Sequence, residues 1–168
     1  MRAYLPALGY AYVGLAVAAL AIDGTHPRTS TAVFALSGFA YLWFLGSLRA
    51  RLIRYDPDGF FAAVVVLGGA SYLPLQATAL ATRDVELAAL GSPAAATVVV
   101  GSSLAALHAR KVPKFFGGLG VLGGLGILGV GTAEAASHWI FAGSALWASA
   151  LGFMIWVLAT TTWMLANP

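Results

Sequence analysis

Long uncharged runs separated by short polar segments are the main pattern along this chain. A helix that crosses a bilayer needs about 20 mostly apolar residues. Six runs approach or exceed that length, at residues 4–22, 32–48, 60–81, 93–107, 115–133 and 139–165. Every Lys, Arg, Asp and Glu lies between these runs or before the first. The pattern therefore predicts an all-α fold, a polytopic membrane protein with a bundle of six transmembrane helices.

The runs are apolar all round, whereas helices of a soluble bundle carry a polar face that recurs every 3.6 residues. The connections are only about five to eleven residues long, so we expect a single transmembrane domain over residues 1–168.

The fourth run is the shortest, and its start resembles a helix N-terminus. Ser92 is a suitable cap there, and Pro93 suits the first helical position.

Basic residues are unevenly divided between the two sides of the predicted bundle. Seven lie on one side (Arg2, Arg49, Arg51, Arg54, Arg110, Lys111 and Lys114) and two, Arg28 and Arg83, on the other. The positive-inside rule places the first side in the cytoplasm, with both termini.

The first run is open to a second interpretation, a signal peptide cleaved near residues 19–21. Its length favours an uncleaved anchor, since signal cores usually have about 7–15 residues.

Composition excludes several classes of protein. Hydrophobic residues make up 60% of the chain and charged residues 9%, against about 25% charged in soluble domains. We therefore expect neither a soluble enzyme nor a nucleic-acid partner. The absence of cysteine excludes disulfides, thiol nucleophiles and Cys-ligated metals. The excess of Arg over Lys, with many Ala, Gly and Val, fits a bacterial source, so the predicted location is the bacterial cytoplasmic (inner) membrane.

The fifth run is unusually rich in glycine, with eight glycines in residues 115–131. Four of them follow a heptad-like face and predict a close helix–helix contact: Gly117, Gly120, Gly124 and Gly131. The alternative is a sliding or broken element of a transporter. The sixth run carries small residues at four-residue spacing, Ser144, Ala148 and Gly152. We expect these two small-residue faces to pack against each other.

Polar and helix-disrupting residues occur together within the third run, as Tyr72, Pro74 and Gln76. Pro74 cannot donate a backbone hydrogen bond, and an unpaired Gln76 amide would be costly in hydrocarbon. The cluster is either a hydrated substrate path or a kink whose polar groups are satisfied internally.

Chemistry beyond this cluster has little support in the sequence. Glu134 and His138 are four residues apart and can share a helical face with metal-ligand spacing, completed by His26 or Asp84. Such residues at a membrane surface are more often solvated, so neither a metal site nor a cofactor is predicted. The runs hold no Asp, Glu, Lys, Arg or His for proton relay or a Schiff base.

The chain resembles a large group of six-span bacterial membrane proteins described only as domains of unknown function. The resemblance rests on the Arg-rich segment 49–54, the junction 109–114 (Ala-Arg-Lys-Val-Pro-Lys) and the aromatic start of the fifth run at Phe115-Phe116. A Trp-containing last run completes it. The likeness implies a six-helix bundle in the cytoplasmic membrane and carries over no functional residues.

Two functions are compatible with these observations. The first is a non-enzymatic accessory, regulatory or self-associating membrane subunit, which has the lipid bilayer and a second copy or another membrane protein as partners. The alternative is a small transporter or channel for a neutral or lipophilic solute, with the kinked third run lining the path.

Overall fold

The computed structural model describes residues 2–110, 114–136 and 144–167, and these ranges fold into helices joined by short turns. A 3-10 turn, Arg2–Ala7, leads into the first helix. The six α-helices are α1 (Leu8–Ile22), α2 (Pro27–Leu52), α3 (Phe60–Thr82), α4 (Val85–His108), α5 (Lys114–Ala136) and α6 (Ser144–Ala166).

Five segments are long and apolar enough to cross a membrane, and they belong to α1, α2, α3, α4 and α6. The apolar part of α5 is shorter, Gly117–Ala133. The chain is therefore all-helical over the described ranges and has the composition of a multi-pass membrane protein. Residues 139–143, the first part of the sixth predicted run, lie outside the described residues.

The start of α4 corrects the sequence prediction. This helix begins at Val85, and its cap is Asp84, whose carboxylate accepts a hydrogen bond from the Leu87 amide at 3.1 Å. Ser92 and Pro93 lie inside the helix. At the N-terminus of α4 the Asp84 carboxylate supplies the acceptor that a backbone amide of the first turn would otherwise lack. Its negative charge also interacts favourably with the positive end of the helix dipole. Membrane helices continue across proline where neighbouring groups compensate for the lost hydrogen bond.

Successive helices contact each other, and α6 contacts α1 and α4 as well as α5. At one end of the bundle, Arg83 pairs with the Asp23 carboxylate at 3.1 Å and joins the α3–α4 turn to the α1–α2 turn. We call the opposite end the basic end, because it carries Arg49, Arg51, Arg54, Arg110 and Lys114.

The glycine face of α5 lies against α4 and not against α6, which differs from the expected pairing. Small or aliphatic side chains of α4 occupy the space in front of each glycine. A methyl group added at any of the four positions would overlap α4 atoms, with Leu107 facing Gly117, Ser103 facing Gly120, Val100 facing Gly124 and Ser92 facing Gly131. Glycine is needed here because it lets two backbones approach closely.

The small residues of α6 have other surroundings. Gly152 lies opposite Ile127 of α5, with 3.7 Å between the position of an added methyl group and the Ile127 side chain. Ala148 is exposed. The Ser144 side chain lies outside the described residues. At this point α5 therefore contacts α6 through a large side chain that lies against a glycine.

Aromatic rings fill the middle of the bundle between α1, α2, α3 and α6. Tyr12 and Tyr41 lie with ring centroids 4.9 Å apart, and Tyr72 and Phe153 lie 4.7 Å apart. The Tyr12 hydroxyl donates to the Tyr72 hydroxyl at 3.5 Å. Phe153 also stacks on Trp156 of the same helix at 5.9 Å. These contacts hold α6 against the first three helices through large side chains.

The α4–α5 contact predicts opposite effects for two adjacent glycines. In Gly124→Ala the new methyl group would lie 2.5 Å from a Val100 methyl and 3.3 Å from the Ala96 carbonyl oxygen. Overpacking of this kind costs about 1–3 kcal/mol. In Gly123→Ala nothing lies within 4 Å, so the better helix propensity of alanine stabilises by up to about 1 kcal/mol. The measurement is the free energy of unfolding in bicelles, and equal effects of the two variants would contradict the observed packing.

Candidate functional site

The polar cluster of α3 divides between two faces of the helix. Tyr72 and Gln76 are four residues apart and therefore share a face, which is turned into the bundle, where Tyr72 is buried and Gln76 half-buried. Pro74 lies on the other side and is exposed. The structure thus brings two of the three predicted path residues together and places Pro74 on the outside of the bundle.

Gln76 has a defined partner in α4. Its side-chain amide donates to the Ala88 carbonyl oxygen at 3.0 Å. Gly91, one turn further along α4, leaves the room that this amide occupies, because a methyl group there would overlap it. A cavity of about 30 Å³ lies beside Tyr72 and Gln76. Its size suits one or two water molecules, since a water needs about 10–15 Å³.

A much larger cavity, of about 630 Å³, lies at the basic end. Its walls come from four helices and the segments that follow α2 and α6. The lining residues of α2, of the segment that follows it, and of α4 and α5 include Leu48, Arg51, Leu52, Tyr55, Ser102, Ser103, Ala106, Gly117 and Gly120. The lining is mainly apolar, with hydroxyl groups of α4 and α6 among the carbon atoms. Two of the glycines that bring α5 close to α4, Gly117 and Gly120, border this space.

A rim of four residues surrounds the outer part of this cavity: Arg51, Tyr55, Trp163 and Asn167. The Arg51 guanidinium donates to the Met164 carbonyl oxygen at 2.9 Å and to the Asn167 carbonyl oxygen. It also lies 5.3 Å from the centre of the Trp163 ring, a cation–π contact. The Tyr55 ring packs on Trp163 with centroids 6.2 Å apart. Arg51 therefore satisfies carbonyls at the negative end of α6.

One face of α6 lines both cavities. Ala150, Ala159, Thr162 and Ala166 are among the lining residues. Six further lining residues alternate in spacing between four and three, which keeps these six on one stripe of the helix: Ser149, Phe153, Trp156, Thr160, Trp163 and Asn167. Ser149 and Phe153 border the small cavity, and the remaining four border the large one. The ring of Phe153 at the small cavity stacks on the ring of Trp156 at the large one.

The candidate metal ligands named from the sequence lie partly outside the described residues. His138 and the side chain of Glu134 lie outside the described residues. Their proposed companions are His26 and Asp84, which are both exposed. In the described ranges no three His, Cys, Asp or Glu side chains come together to hold a metal ion.

Two features of the large cavity were missed by sequence reasoning. In the sequence analysis Arg51 is one of the basic residues that predict orientation and part of the Arg-rich segment 49–54, and Trp156 is one of the tryptophans of the last run. The alternating spacing of aromatic and hydroxyl residues in α6 is a signal present in the sequence. This spacing identifies the stripe of α6, but it does not identify which helices the stripe faces.

No family model matches the chain, and neither the curated proteins nor the solved structures contain a match. The interpretation of both cavities therefore rests on their own geometry.

The contact between Gln76 and Gly91 predicts energetic coupling. Gly91→Ala destabilises the protein because its methyl group meets the Gln76 amide, and Gln76→Ala loses an interhelical hydrogen bond worth about 0.6–1.7 kcal/mol. In the double variant the methyl group has room, so the cost of Gly91→Ala falls. We expect an interaction energy of about 0.5–3 kcal/mol in a double-mutant cycle.

Gly14→Ala supplies the control for this cycle, since nothing lies within 4 Å of the position of its added methyl group. Its effect on the free energy of unfolding adds to that of Gln76→Ala. Additive behaviour of Gly91→Ala as well would show that the amide does not lie against Gly91.

Proposed function

We propose that this chain is a small membrane carrier, which takes up a lipophilic solute in the cavity at the basic end. The observation that carries the proposal is the cavity itself, with a volume of about 630 Å³ and a mainly apolar lining. Binding sites for small molecules commonly have volumes of about 300–1,000 Å³, apolar walls and a few placed polar groups. An accessory subunit would need no chamber of this size, so the cavity favours the carrier over that function.

The cavity is accessible from outside the bundle. Ala159 and Ala166 are lining residues and are exposed. A lipophilic solute dissolved in the bilayer would reach such a cavity without crossing water. Substrates of this kind need no charged residue within the apolar segments.

The small cavity would continue the route along the same face of α6. Tyr72 and Gln76 would offer hydrogen bonds there, in the role expected for a substrate path. The route would pass the stacked rings of Phe153 and Trp156, so passage requires these rings to move. The arrangement corresponds to a carrier that is closed in the middle and open at the basic end.

The proposed orientation has the basic end, with both termini, at the cytoplasmic face of a bacterial cytoplasmic membrane. Support comes from the seven basic residues on this side against two on the other. Anionic lipid headgroups would contact the exposed Arg49 and Arg54. The mouth of the cavity would then lie at the level of the inner leaflet.

Filling the cavity should block uptake. In Ala159→Leu the larger side chain occupies part of the binding space, whereas Ala148→Leu introduces the same side chain at an exposed alanine of α6 outside the cavity. The probe is lauryl alcohol brominated at its terminal carbon, which quenches tryptophan fluorescence when bound. An overpacking cost of about 1–3 kcal/mol lowers the affinity of Ala159→Leu for the probe by about fivefold or more. We expect Ala148→Leu to bind like the unmodified protein.

Transfer of a fluorescent lauryl probe between leaflets, followed by dithionite quenching in reconstituted vesicles, tests the carrier step. Transfer should slow in Ala159→Leu and not in Ala148→Leu. Absence of saturable binding by the unmodified protein would contradict the proposed function.

A further inference from the structure

We propose that the solute is an amphiphile with one acyl-type chain and an anionic headgroup, and that Arg51 binds the headgroup. The inference rests on the proposed function, since it takes the large cavity as the binding site. It adds the chemical class of the ligand and the residue that selects it.

The charge of the lining points to an anion. Among the described residues that line the cavity, Arg51 is the charged one. Two of its five N–H donors are used by the carbonyl oxygens of Met164 and Asn167. The remaining N–H groups can donate hydrogen bonds to an anionic oxygen, and guanidinium geometry suits carboxylate and phosphate groups.

Arg51 is held in place before any ligand arrives. The α6 carbonyls bind one side of the guanidinium, and the Trp163 ring lies 5.3 Å from it. Tyr55 in turn packs against Trp163. A group fixed in this way loses little conformational entropy when it binds, which favours affinity.

The surroundings of the cavity strengthen the preference for negative charge. The acidic residues nearest in sequence are Asp56 and Asp58, and neither lines the cavity. Asp56 is buried and accepts a hydrogen bond from the Phe61 amide at 2.7 Å. Exposed arginines at positions 49, 54 and 110 add positive potential at the same end. This field would attract an anion and repel a cation.

The depth of the cavity suits a hydrocarbon chain. The lining residues of α6 extend from Asn167 to Trp156, which is about 16 Å along the helix axis at 1.5 Å per residue. That is roughly half of the 30 Å hydrocarbon thickness of a bilayer. One chain of leaflet length therefore fits with its head at Arg51 and its end near Trp156.

The experiment compares three ligands with the same chain and different heads: laurate, lauryl alcohol and lauryltrimethylammonium, each brominated at the terminal carbon. The full chain is placed in nanodiscs of zwitterionic lipid, and binding is measured by quenching of tryptophan fluorescence. Partition of each probe into empty nanodiscs is subtracted. Arg51→Gln is compared with Arg49→Gln, which removes the same charge from an exposed position outside the cavity.

We expect laurate to bind about tenfold or more tightly than lauryl alcohol, and lauryltrimethylammonium to bind most weakly. Arg51→Gln should abolish the preference for laurate over lauryl alcohol, a ratio that an equal loss of affinity for both probes would leave unchanged. Arg49→Gln should keep the preference. Trp156→Phe should remove most of the quenching by all bound probes, because the brominated end lies beside that ring.

Equal binding of laurate and lauryl alcohol by the unmodified protein would overturn the inference and leave the proposed function standing. The same holds if Arg49→Gln and Arg51→Gln reduce the preference equally. Failure of all three probes to bind would overturn both the inference and the proposed function.

Discussion

The close approach of α5 to α4 determines where this bundle has room. Hydrocarbon gives apolar helices little reason to associate, so contact depends on how closely their surfaces fit. The glycine face of α5 lies on α4 along most of its length, from Gly117 to Gly131. On the side of α6, Ile127 of α5 lies opposite Gly152. Towards the basic end the space between these two helices is left to the large cavity.

A different kind of contact holds α6 in the bundle. Its middle is fixed by the rings of Phe153 and Trp156, which pack on Tyr41, Tyr72 and Phe44. Its end is fixed by Arg51 of α2. Large rings and a single guanidinium hold a helix at a few points and leave gaps between them, whereas a glycine face closes a contact continuously. This difference explains why both cavities border α6.

The sequence predicted those features that depend on local composition. The third helix was predicted at residues 60–81 and is found at Phe60–Thr82. The fourth was predicted to begin eight residues too late, because an apolar run indicates only which residues fit the hydrocarbon, whereas the helix extends back to its cap, here Asp84. The shared face of Tyr72 and Gln76 follows from their spacing. The role of Arg51 could not be predicted from local spacing, because the two carbonyl groups that it binds lie 113 and 116 residues away in the chain.

The single stripe of α6 that lines both cavities has a consequence for how this helix can vary in length. Each added residue rotates everything beyond it by about 100° around the helix axis, since an α-helix has 3.6 residues per turn. One residue inserted between Phe153 and Trp156 would therefore turn Thr160 and Trp163 away from the cavity while Ser149 kept its place. An insertion of about one full turn would preserve the angular phase and lengthen the gap between the two spaces by about 5.4 Å. The two cavities are thus tied to each other by helical phase, and changes in α6 that keep both must come in near-whole turns.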